Sequence, residues 1–171
     1  VPDGCGPRLR DREYASMEVV DAAGVRLDAN RRDREETGDP NLQRYMRRMA
    51  ERLVKRYAKH PALLAFGLDN EVGAGYHSYS QSALERFQAW LQNRYGTVAQ
   101  LNACWNAGRW SRRLERFADV FFPEGQQGIK GPPERWLDMK RFFSDENLGY
   151  LQKMHDCCRE FAPGIPLTTN H

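Results

Sequence analysis

A short apolar run at residues 63–68 constrains the fold of this chain more than any other feature of its sequence. The run does not alternate between apolar and polar residues, and it stops at the polar triplet 69–71. Unalternating runs of this length are typical of strands that are covered on both faces. Residues 165–170 also resemble a buried strand, and they contain Pro166 near the start, where a strand tolerates proline. We therefore predict two buried strands of a parallel sheet.

Helices are predicted on both sides of the first run. The first helix begins at Asp39, a residue type that caps helices well, and continues with Pro40. Its inward-facing stripe consists of Leu42, Tyr45, Met46, Met49, Leu53 and Tyr57. A second amphipathic helix ends at Gly96, and the pair of Thr97 and Gln100 predicts a short helix after it.

A long helix is predicted over about residues 133–161, and Gly164 ends it. Its apolar positions are Trp136, Met139, Phe143, Leu151, Met154 and Cys158. The resulting order of helix, strand, helices, long helix and strand favours an α/β fold with a parallel sheet. A chain of 171 residues with 40% hydrophobic content is long enough for one domain with a real core.

The first part of the chain has a different composition. Residues 1–39 are rich in Gly, Pro, Arg and Asp, which predicts a long surface connection. Short extended pieces at 17–20 and 25–27 flank a predicted turn at 21–24. The chain starts with Val1 and stops directly after an apolar stretch, so we expect residues 1–171 to be a fragment of a single domain, with its helices and strands in 40–171.

The charge pattern gives little support for a nucleic-acid or membrane partner. The 26 basic and 23 acidic residues are interleaved and leave a net charge of +3, which implies no extended surface of one sign. An Arg-rich face is favoured as a solvated helix surface over a phosphate-binding one: Arg44, Arg47, Arg48, Arg52, Lys55 and Arg56. No stretch of about 18 apolar residues occurs, so no membrane span is predicted.

The four cysteines lack the spacing of a metal site. Cys5, Cys104, Cys157 and Cys158 form no C-x-x-C pair and have no matching pair of histidines, so we expect no metal and no cofactor. Buried free thiols are the favoured interpretation. Because neighbouring helix positions point to different faces, a disulfide between Cys157 and Cys158 is not expected.

The polar residues at the carboxyl ends of the two predicted strands, 69–71 and 168–171, are the candidate functional groups. Such groups collect at the carboxyl ends of parallel strands. Glu71 is a candidate general acid, since a carboxyl group after an apolar run is costly to desolvate and burial favours its protonated form. Asn70 offers a donor and an acceptor suited to a sugar hydroxyl. The alternative for 69–71 is a turn or a helix cap, both of which Asp and Asn favour.

A wider set of residues resembles the family 42 glycoside hydrolases, which include β-galactosidases. The matching positions cover roughly residues 14–171 and occur in the same order as in that family: His60, Pro61, 67–71, Gly73, Phe87, Trp90, Leu91, 95–97, Leu101, Asn102, Trp105, Trp110, Ser111, Phe117, Val120, Pro123, Arg141, Phe142, Ser144, Asp145 and 166–170. The pair Asn70 and Glu71 alone is a weak signal, whereas so many ordered matches are a strong one.

The resemblance implies a partial (β/α)8 TIM barrel, roughly its middle strands and helices only, in a retaining glycosidase that hydrolyses a terminal β-galactoside. It implies that Glu71 is the acid/base, that Asn70 holds the 2-hydroxyl of the sugar, and that Trp110 lines the sugar pocket. For Trp110, an ordinary core aromatic is an equally good interpretation. The nucleophile would lie beyond residue 171, so the chain alone is expected to be inactive. Related enzymes often form trimers, and a homo-oligomer is therefore possible for the complete protein.

Several positions depart from the family pattern or have ordinary explanations. Relatives with a cysteine cluster hold zinc, but only Cys5 precedes the first strand here, which again predicts no metal. Val72 and the pair Asn106 and Ala107 replace commoner residues, which leaves the sugar specificity open. The remaining acids are predicted to be solvated groups or caps on helices and loops: Glu85, Glu115, Glu124, Glu134, Asp138, Asp145, Glu146 and Glu160.

Two other functions stay open at this point. A carbohydrate-binding relative would keep the barrel without hydrolysis, and the absence of a glutamate after a later apolar run would favour it. A basic nucleic-acid-binding module would rest on the Arg-rich helix and would leave the strand that ends at Asn70 and Glu71 unexplained. A carbohydrate is the expected partner. The cytoplasm is favoured as the compartment, although the native N-terminus is expected to lie outside the chain.

Overall fold

A pair of parallel strands forms the centre of the fold. The computed structural model describes residues 17–27, 35–72, 77–109, 112–123 and 132–170. Strand β1 spans Phe66–Asn70 and pairs with strand β2, Leu167–Asn170. The helices of the described residues are α1, Pro40–Tyr57; α2, Gln81–Tyr95; α3, Val98–Cys104; and α4, Pro133–Phe161. This order of elements confirms the predicted α/β class.

Local sequence signals set the ends of the helices. Asp39 accepts hydrogen bonds from the backbone N–H groups of Asn41 and Leu42, at 2.8 and 3.0 Å, and so caps α1. Thr97 caps α3 by accepting from the backbone N–H of Gln100 at 3.2 Å. Gly96 follows α2 with a φ of 70°, a conformation that glycine adopts without strain. These starts and stops are the predicted ones.

Helices α1 and α4 cover one face of the two strands. Val54 of α1 and Cys158 of α4 are buried there, and Phe66, Leu68 and Leu167 pack against them. Four other strand residues are exposed on the opposite face within the described part of the chain: Gly67, Asn70, Thr168 and Asn170. The short strands therefore have a packed face and an open face, and Asn70, Thr168 and Asn170 lie on the open one.

The predicted apolar stripe of α1 is partly wrong. Leu42 is buried, but Leu53 and Tyr57 are 43% and 46% exposed, and Val54 is buried in their place. The cause is the position of α4, which packs against α1. Near the carboxyl end of α1, the face that contacts α4 contains Val54 and not Leu53 or Tyr57. Helical periodicity predicts that a stripe exists, but the neighbouring helix decides which residues it contains.

A second core lies between α2, α3 and α4. Phe87 of α2 is completely buried and stacks on Phe122 at a centroid distance of 5.1 Å, and Phe142 of α4 lies 5.3 Å from Phe87. Val120 and Phe122 belong to the irregular segment between α3 and α4 and are also buried. This segment therefore contributes to the core, although its sequence lacks a regular pattern.

The described part of the predicted connection, 1–39, packs into the fold. Asp21 accepts hydrogen bonds from the backbone N–H groups of Ala23 and Val25 in the predicted turn, and Val20 pairs with Arg26 in an antiparallel bridge. Met17 and Val19 are only 2% and 1% exposed. The connection thus contributes buried side chains, which differs from the expected surface segment.

The strands begin later than predicted. Leu64 is 85% exposed and precedes β1, whereas Asp69 and Asn70 belong to the strand. Pro166 precedes β2, and its carbonyl accepts a hydrogen bond from the backbone N–H of Phe66 at 3.0 Å. The register shifts between Gly67 and Asn70, where β1 contains one residue more than its partner. Such a β-bulge changes the direction of the side chains that follow it.

Candidate functional site

The candidate site lies at the carboxyl end of β1. Asn70 is the last residue of that strand, and Glu71 follows it directly with a φ of 51°. Both residues are exposed within the described chain. A positive φ is unfavourable for glutamate and costs about 1–3 kcal/mol, which proteins tolerate chiefly where surrounding contacts require it. Glu71 therefore occupies a restrained turn rather than a helix.

Asn170 contacts both of these residues from the end of β2. Its side-chain oxygen accepts a hydrogen bond from the backbone N–H of Glu71 at 3.4 Å, and its side-chain nitrogen donates to Oδ1 of Asn70 at 3.0 Å. Asn70 and Asn170 are also register partners in the two strands. We call Asp69, Asn70, Glu71 and Asn170 the strand-end site.

Asp69 is held from behind by helix α4. The hydroxyl group of Tyr150 donates to Oδ2 of Asp69 at 2.6 Å, and Oδ1 of Asp69 accepts from the backbone N–H of Asn70 at 2.7 Å. Tyr150 is 2% exposed, so its ring is locked in the core. Sequence reasoning missed Tyr150, because 81 residues separate it from Asp69 and no local pattern links the two.

Glu71 is less enclosed than the sequence suggested. Its carboxyl group was expected to be buried, but Glu71 is exposed within the described part of the chain. Among the described residues, its carboxylate makes no hydrogen bond or ion pair. The carboxylate is therefore available to a ligand, and any shielding must come from residues other than the described ones.

Trp110, the third predicted site residue, lies outside the described residues. A cavity of about 170 Å³ is present near that part of the chain, and the described residues that line it are Trp105, Ala107, Arg112, Leu114, Val120, Pro132 and Arg135. Asn70 and Glu71 are not among these residues. We therefore place the candidate site at the strand ends, where the polar groups converge, and not in this cavity.

Two acids that were expected to be solvated are paired with other side chains: Asp138 is buried and Glu146 is partly buried. Asp138 is completely buried and accepts hydrogen bonds from the hydroxyl of Tyr95 at 2.5 Å and from Nε1 of Trp105 at 2.9 Å. The side chain of Glu146 is 11% exposed and accepts from Nε of Arg86 at 2.5 Å. The prediction for these two residues was wrong, because distant partners on α2 and α3 replace the water that an isolated carboxylate requires.

Glu146 belongs to a larger polar group, the Glu36 cluster, in which Glu36 and Ser78 are buried and Ser80, Arg86 and Glu146 are partly buried. Oε2 of Glu36 accepts from the hydroxyl groups of Ser78 and Ser80 at 2.6 and 2.8 Å. Arg86 donates to both carboxylates. Burial raises the pKa of Glu146, although the hydrogen bond from Arg86 opposes this shift. The cluster joins three regions of the chain that are distant in sequence: Glu36, residues 78–86 and Glu146.

His77 lies beside this cluster in sequence. Its ring stacks on Phe143 with a centroid distance of 4.5 Å, and its Nε2 lies 2.7 Å from Nζ of Lys140. Burial and the nearby Lys140 charge lower the pKa of His77 to about 4. The imidazole is therefore neutral at physiological pH and accepts a hydrogen bond from the ammonium group of Lys140.

Across the described ranges, no group of three or more His, Cys, Asp or Glu side chains is arranged to hold a metal ion. Cys104, Cys157 and Cys158 are free thiols. None of the described helices is both long enough and apolar enough to cross a membrane.

Comparison with known families gives one match over nearly the whole chain. The model of the glycoside hydrolase 42 family, described as β-galactosidase, matches residues 2–171. Among curated proteins, β-galactosidase BgaP of Planococcus sp. (strain L4) is 30% identical over 169 residues, which cover 96% of this chain and 25% of that protein. A β-galactosidase of Thermus thermophilus is 31% identical over an alignment that covers 99% of this chain and 26% of that protein.

Solved structures give the same result for the fold. The crystal structure of β-galactosidase from the psychrophilic Marinomonas ef1 superposes with a TM-score of 0.89 at 30% identity, covering 96% of this chain and 25% of that protein. The chain thus spans about a quarter of the length of the relatives that it matches. The predicted partial (β/α)8 barrel is confirmed by this likeness.

Proposed function

This chain belongs to glycoside hydrolase family 42, and from that membership we propose that it carries the acid/base of a retaining β-galactosidase. The observation that carries the proposal is the position of Glu71, directly after Asn70 at the carboxyl end of β1, with a carboxylate that no described residue engages. In barrels of parallel strands, catalytic groups lie at this end of the strands.

The chemistry requires two carboxyl groups on opposite sides of the glycosidic bond. In the first step, the nucleophile attacks the anomeric carbon while Glu71 gives its proton to the departing glycosidic oxygen. In the second step, Glu71 takes a proton from water, which attacks the anomeric carbon and releases the sugar and the nucleophile. The nucleophile is proposed to lie outside residues 1–171, about 5–5.5 Å from Glu71 in the assembled site.

Asn70 is proposed to bind the 2-hydroxyl of the sugar, and Trp110 to line the sugar pocket. The exposure of Asn70 on the open face of the strands supports its role, because its side chain faces away from the helices. The substrate class, a terminal β-galactoside, rests on the names of the relatives. A homo-oligomeric assembly of the full-length protein stays a prediction.

Leaving-group dependence tests the role of Glu71 in the full-length protein. We expect Glu71→Gln to lower turnover of an alkyl β-galactoside about 100- to 10,000-fold, because the poor leaving group needs the proton. A 2,4-dinitrophenyl β-galactoside needs no proton to depart, so it should still give a rapid burst of dinitrophenol followed by slow turnover. The measurement is the burst and steady-state rate for both substrates.

Glu85→Gln is the matched control, because Glu85 is exposed on α2 and pairs only with Gln81 in the described structure. It should leave both rates unchanged. Equal losses in the rate of the first step for both substrates in Glu71→Gln would remove Glu71 from the acid role. Absence of hydrolysis and of a burst in the unaltered protein would instead favour a carbohydrate-binding relative.

A further inference from the structure

We infer that Asn170 is a positioning residue that determines which end of the Asn70 amide faces the sugar. The inference rests on the proposed function and deepens it, because it concerns the polarity of the group that meets the 2-hydroxyl. No sequence signal assigned a role to Asn170 beyond its place at the end of an apolar run.

The polarity follows from a backbone group that can only donate. The N–H of Glu71 donates to the side chain of Asn170, so the oxygen of that amide must face Glu71. The nitrogen of the same amide therefore faces Asn70 and donates to its Oδ1. Asn70 consequently directs Oδ1 toward β2, and its Nδ2 is the end left for a ligand.

The strands bring these groups together through the bulge in β1. With one additional residue between Gly67 and Asn70, the two asparagines become register partners on the open face. Neighbouring strands lie only about 4.7–4.9 Å apart, which suits a hydrogen bond between two short amide side chains. Without the extra residue, Asn70 would point toward the helices.

The same contacts restrain the turn at Glu71. Asn170 accepts from the backbone N–H of a residue with a φ of 51°, and Asp69 accepts from the backbone N–H of Asn70. Two side-chain acceptors thus hold consecutive N–H groups at the end of β1. Asn170 therefore acts on both proposed site residues, although it carries no group that the reaction consumes.

The consequence for the substrate is specific. Asn70 presents a hydrogen-bond donor, so the sugar hydroxyl that meets it accepts a hydrogen bond there and keeps its own proton for another partner. A reversed Asn70 amide would present an oxygen and demand the opposite arrangement. The expected ligand is therefore a glycoside whose 2-position bears an oxygen that can accept a hydrogen bond.

Asn170→Asp in the full-length protein tests this. The introduced carboxylate still accepts from the N–H of Glu71, but it cannot donate to Asn70, whose amide should rotate and direct its oxygen toward the sugar. The readout is the ratio of kcat/KM for an aryl β-galactoside and its 2-deoxy analogue. We expect the unaltered protein to prefer the 2-hydroxyl substrate and the variant to reduce that preference about tenfold to a hundredfold.

Two further variants make the test decisive. Thr168→Ala alters the same face of β2 without touching the amide pair and should keep the preference unchanged. Asn170→Ala removes both hydrogen bonds and should reduce the preference by a smaller factor, and it replaces Asn170→Asp if that variant does not fold. A general loss of stability would lower both rates equally and leave their ratio constant.

The outcomes separate this inference from the proposed function. If the full-length protein hydrolyses β-galactosides and Asn170→Asp keeps the full preference for the 2-hydroxyl, Asn170 does not orient Asn70 and only this inference fails. If the full-length protein hydrolyses neither substrate, the proposed function fails first. A reduced preference in Asn170→Asp with an unchanged preference in Thr168→Ala supports both.

Discussion

The Glu36 cluster and the strand-end site are made of similar polar side chains but differ in how fully these are satisfied. In the Glu36 cluster, both oxygens of Glu36 accept hydrogen bonds, and Arg86 donates to two carboxylates and to Ser82. At the strand ends, Asn70 and Glu71 are exposed, and the Glu71 carboxylate has no partner among the described residues. The carboxylate of Glu36 has partners for both of its oxygens, whereas the carboxylate of Glu71 can still bind a ligand.

The difference separates a structural role from a binding role. A buried charge costs several kcal/mol unless it is paired, so a closed cluster must satisfy its members internally. An exposed group has no such requirement and can exchange water for a substrate. We therefore expect substitutions in the Glu36 cluster to act on stability and substitutions at the strand ends to act on turnover.

The largest effect is expected for Arg86→Met, which leaves the buried carboxylate of Glu36 and the partly buried carboxylate of Glu146 without their cation. Removal of one partner from a buried ion pair typically costs about 3–5 kcal/mol, and we expect a loss of unfolding free energy in this range. Urea-induced unfolding of the full-length protein measures it. Arg116→Met is the control, because the Arg116 side chain is 75% exposed in its pair with Asp119, and its loss should leave the unfolding free energy nearly unchanged.

Equal losses for Arg86→Met and Arg116→Met would break the comparison, because the Glu36 cluster would then behave like an exposed pair. A variant of Arg86 that unfolds at lower urea but keeps its rate per folded molecule would sharpen it.

A smaller effect is expected for Tyr150→Phe, which removes the hydroxyl that donates to Asp69 and keeps the buried ring. Loss of one hydrogen bond to a charged group costs about 1.5–3 kcal/mol. Because Asp69 also holds the backbone of Asn70, this variant should lower both the unfolding free energy and kcat. Tyr57→Phe, at an exposed tyrosine, should change neither quantity. An effect of Tyr150→Phe on stability alone would limit Asp69 to a structural role.

A pH-dependent effect on stability is expected from His77, whose pKa in the folded protein lies well below its usual value. The unfolded chain binds a proton at this residue below about pH 6.5, whereas the folded protein does so only below about pH 4. Between these values the unfolded state holds more protons, so acidification should lower the unfolding free energy from about pH 6.5 to about pH 4. Above pH 6.5 this contribution is fully present.

His77→Phe keeps a ring that can stack on Phe143 but cannot titrate. The unfolding free energy of the unaltered protein minus that of His77→Phe should therefore decrease as the pH falls from 6.5 to 4. A difference that stays constant over this range would show that His77 protonates equally in both states. Parallel urea titrations at several pH values provide the measurement.

Much of the fold could be predicted because its signals are local. Asp39, Thr97 and Gly96 end or begin helices through contacts within a few residues, and the structure places the caps there. The strand ends were placed less well, because the bulge in β1 depends on pairing with β2 and leaves no mark in the sequence of either strand. Leu53 and Val54 differ for a similar reason, since α4 selects the buried one.

The candidate site divides in the same way. Asn70 and Glu71 could be found because an apolar run that ends in polar residues is a local pattern. Tyr150 and Asn170 act through contacts across 81 and about a hundred residues, so only the folded chain links them to the site. The environments of Asp138, which is buried, and Glu146, which is partly buried, were mispredicted because their partners are also distant in sequence.

By itself, the sequence determined the helices, the two strands and the pair of residues at the end of β1, because capping, periodicity and apolar runs act over a few residues. Only the tertiary structure decided which carboxylates are enclosed and which are open, and which asparagine orients the other. Solvation and hydrogen-bond polarity depend on atoms that the fold brings together from distant parts of the chain.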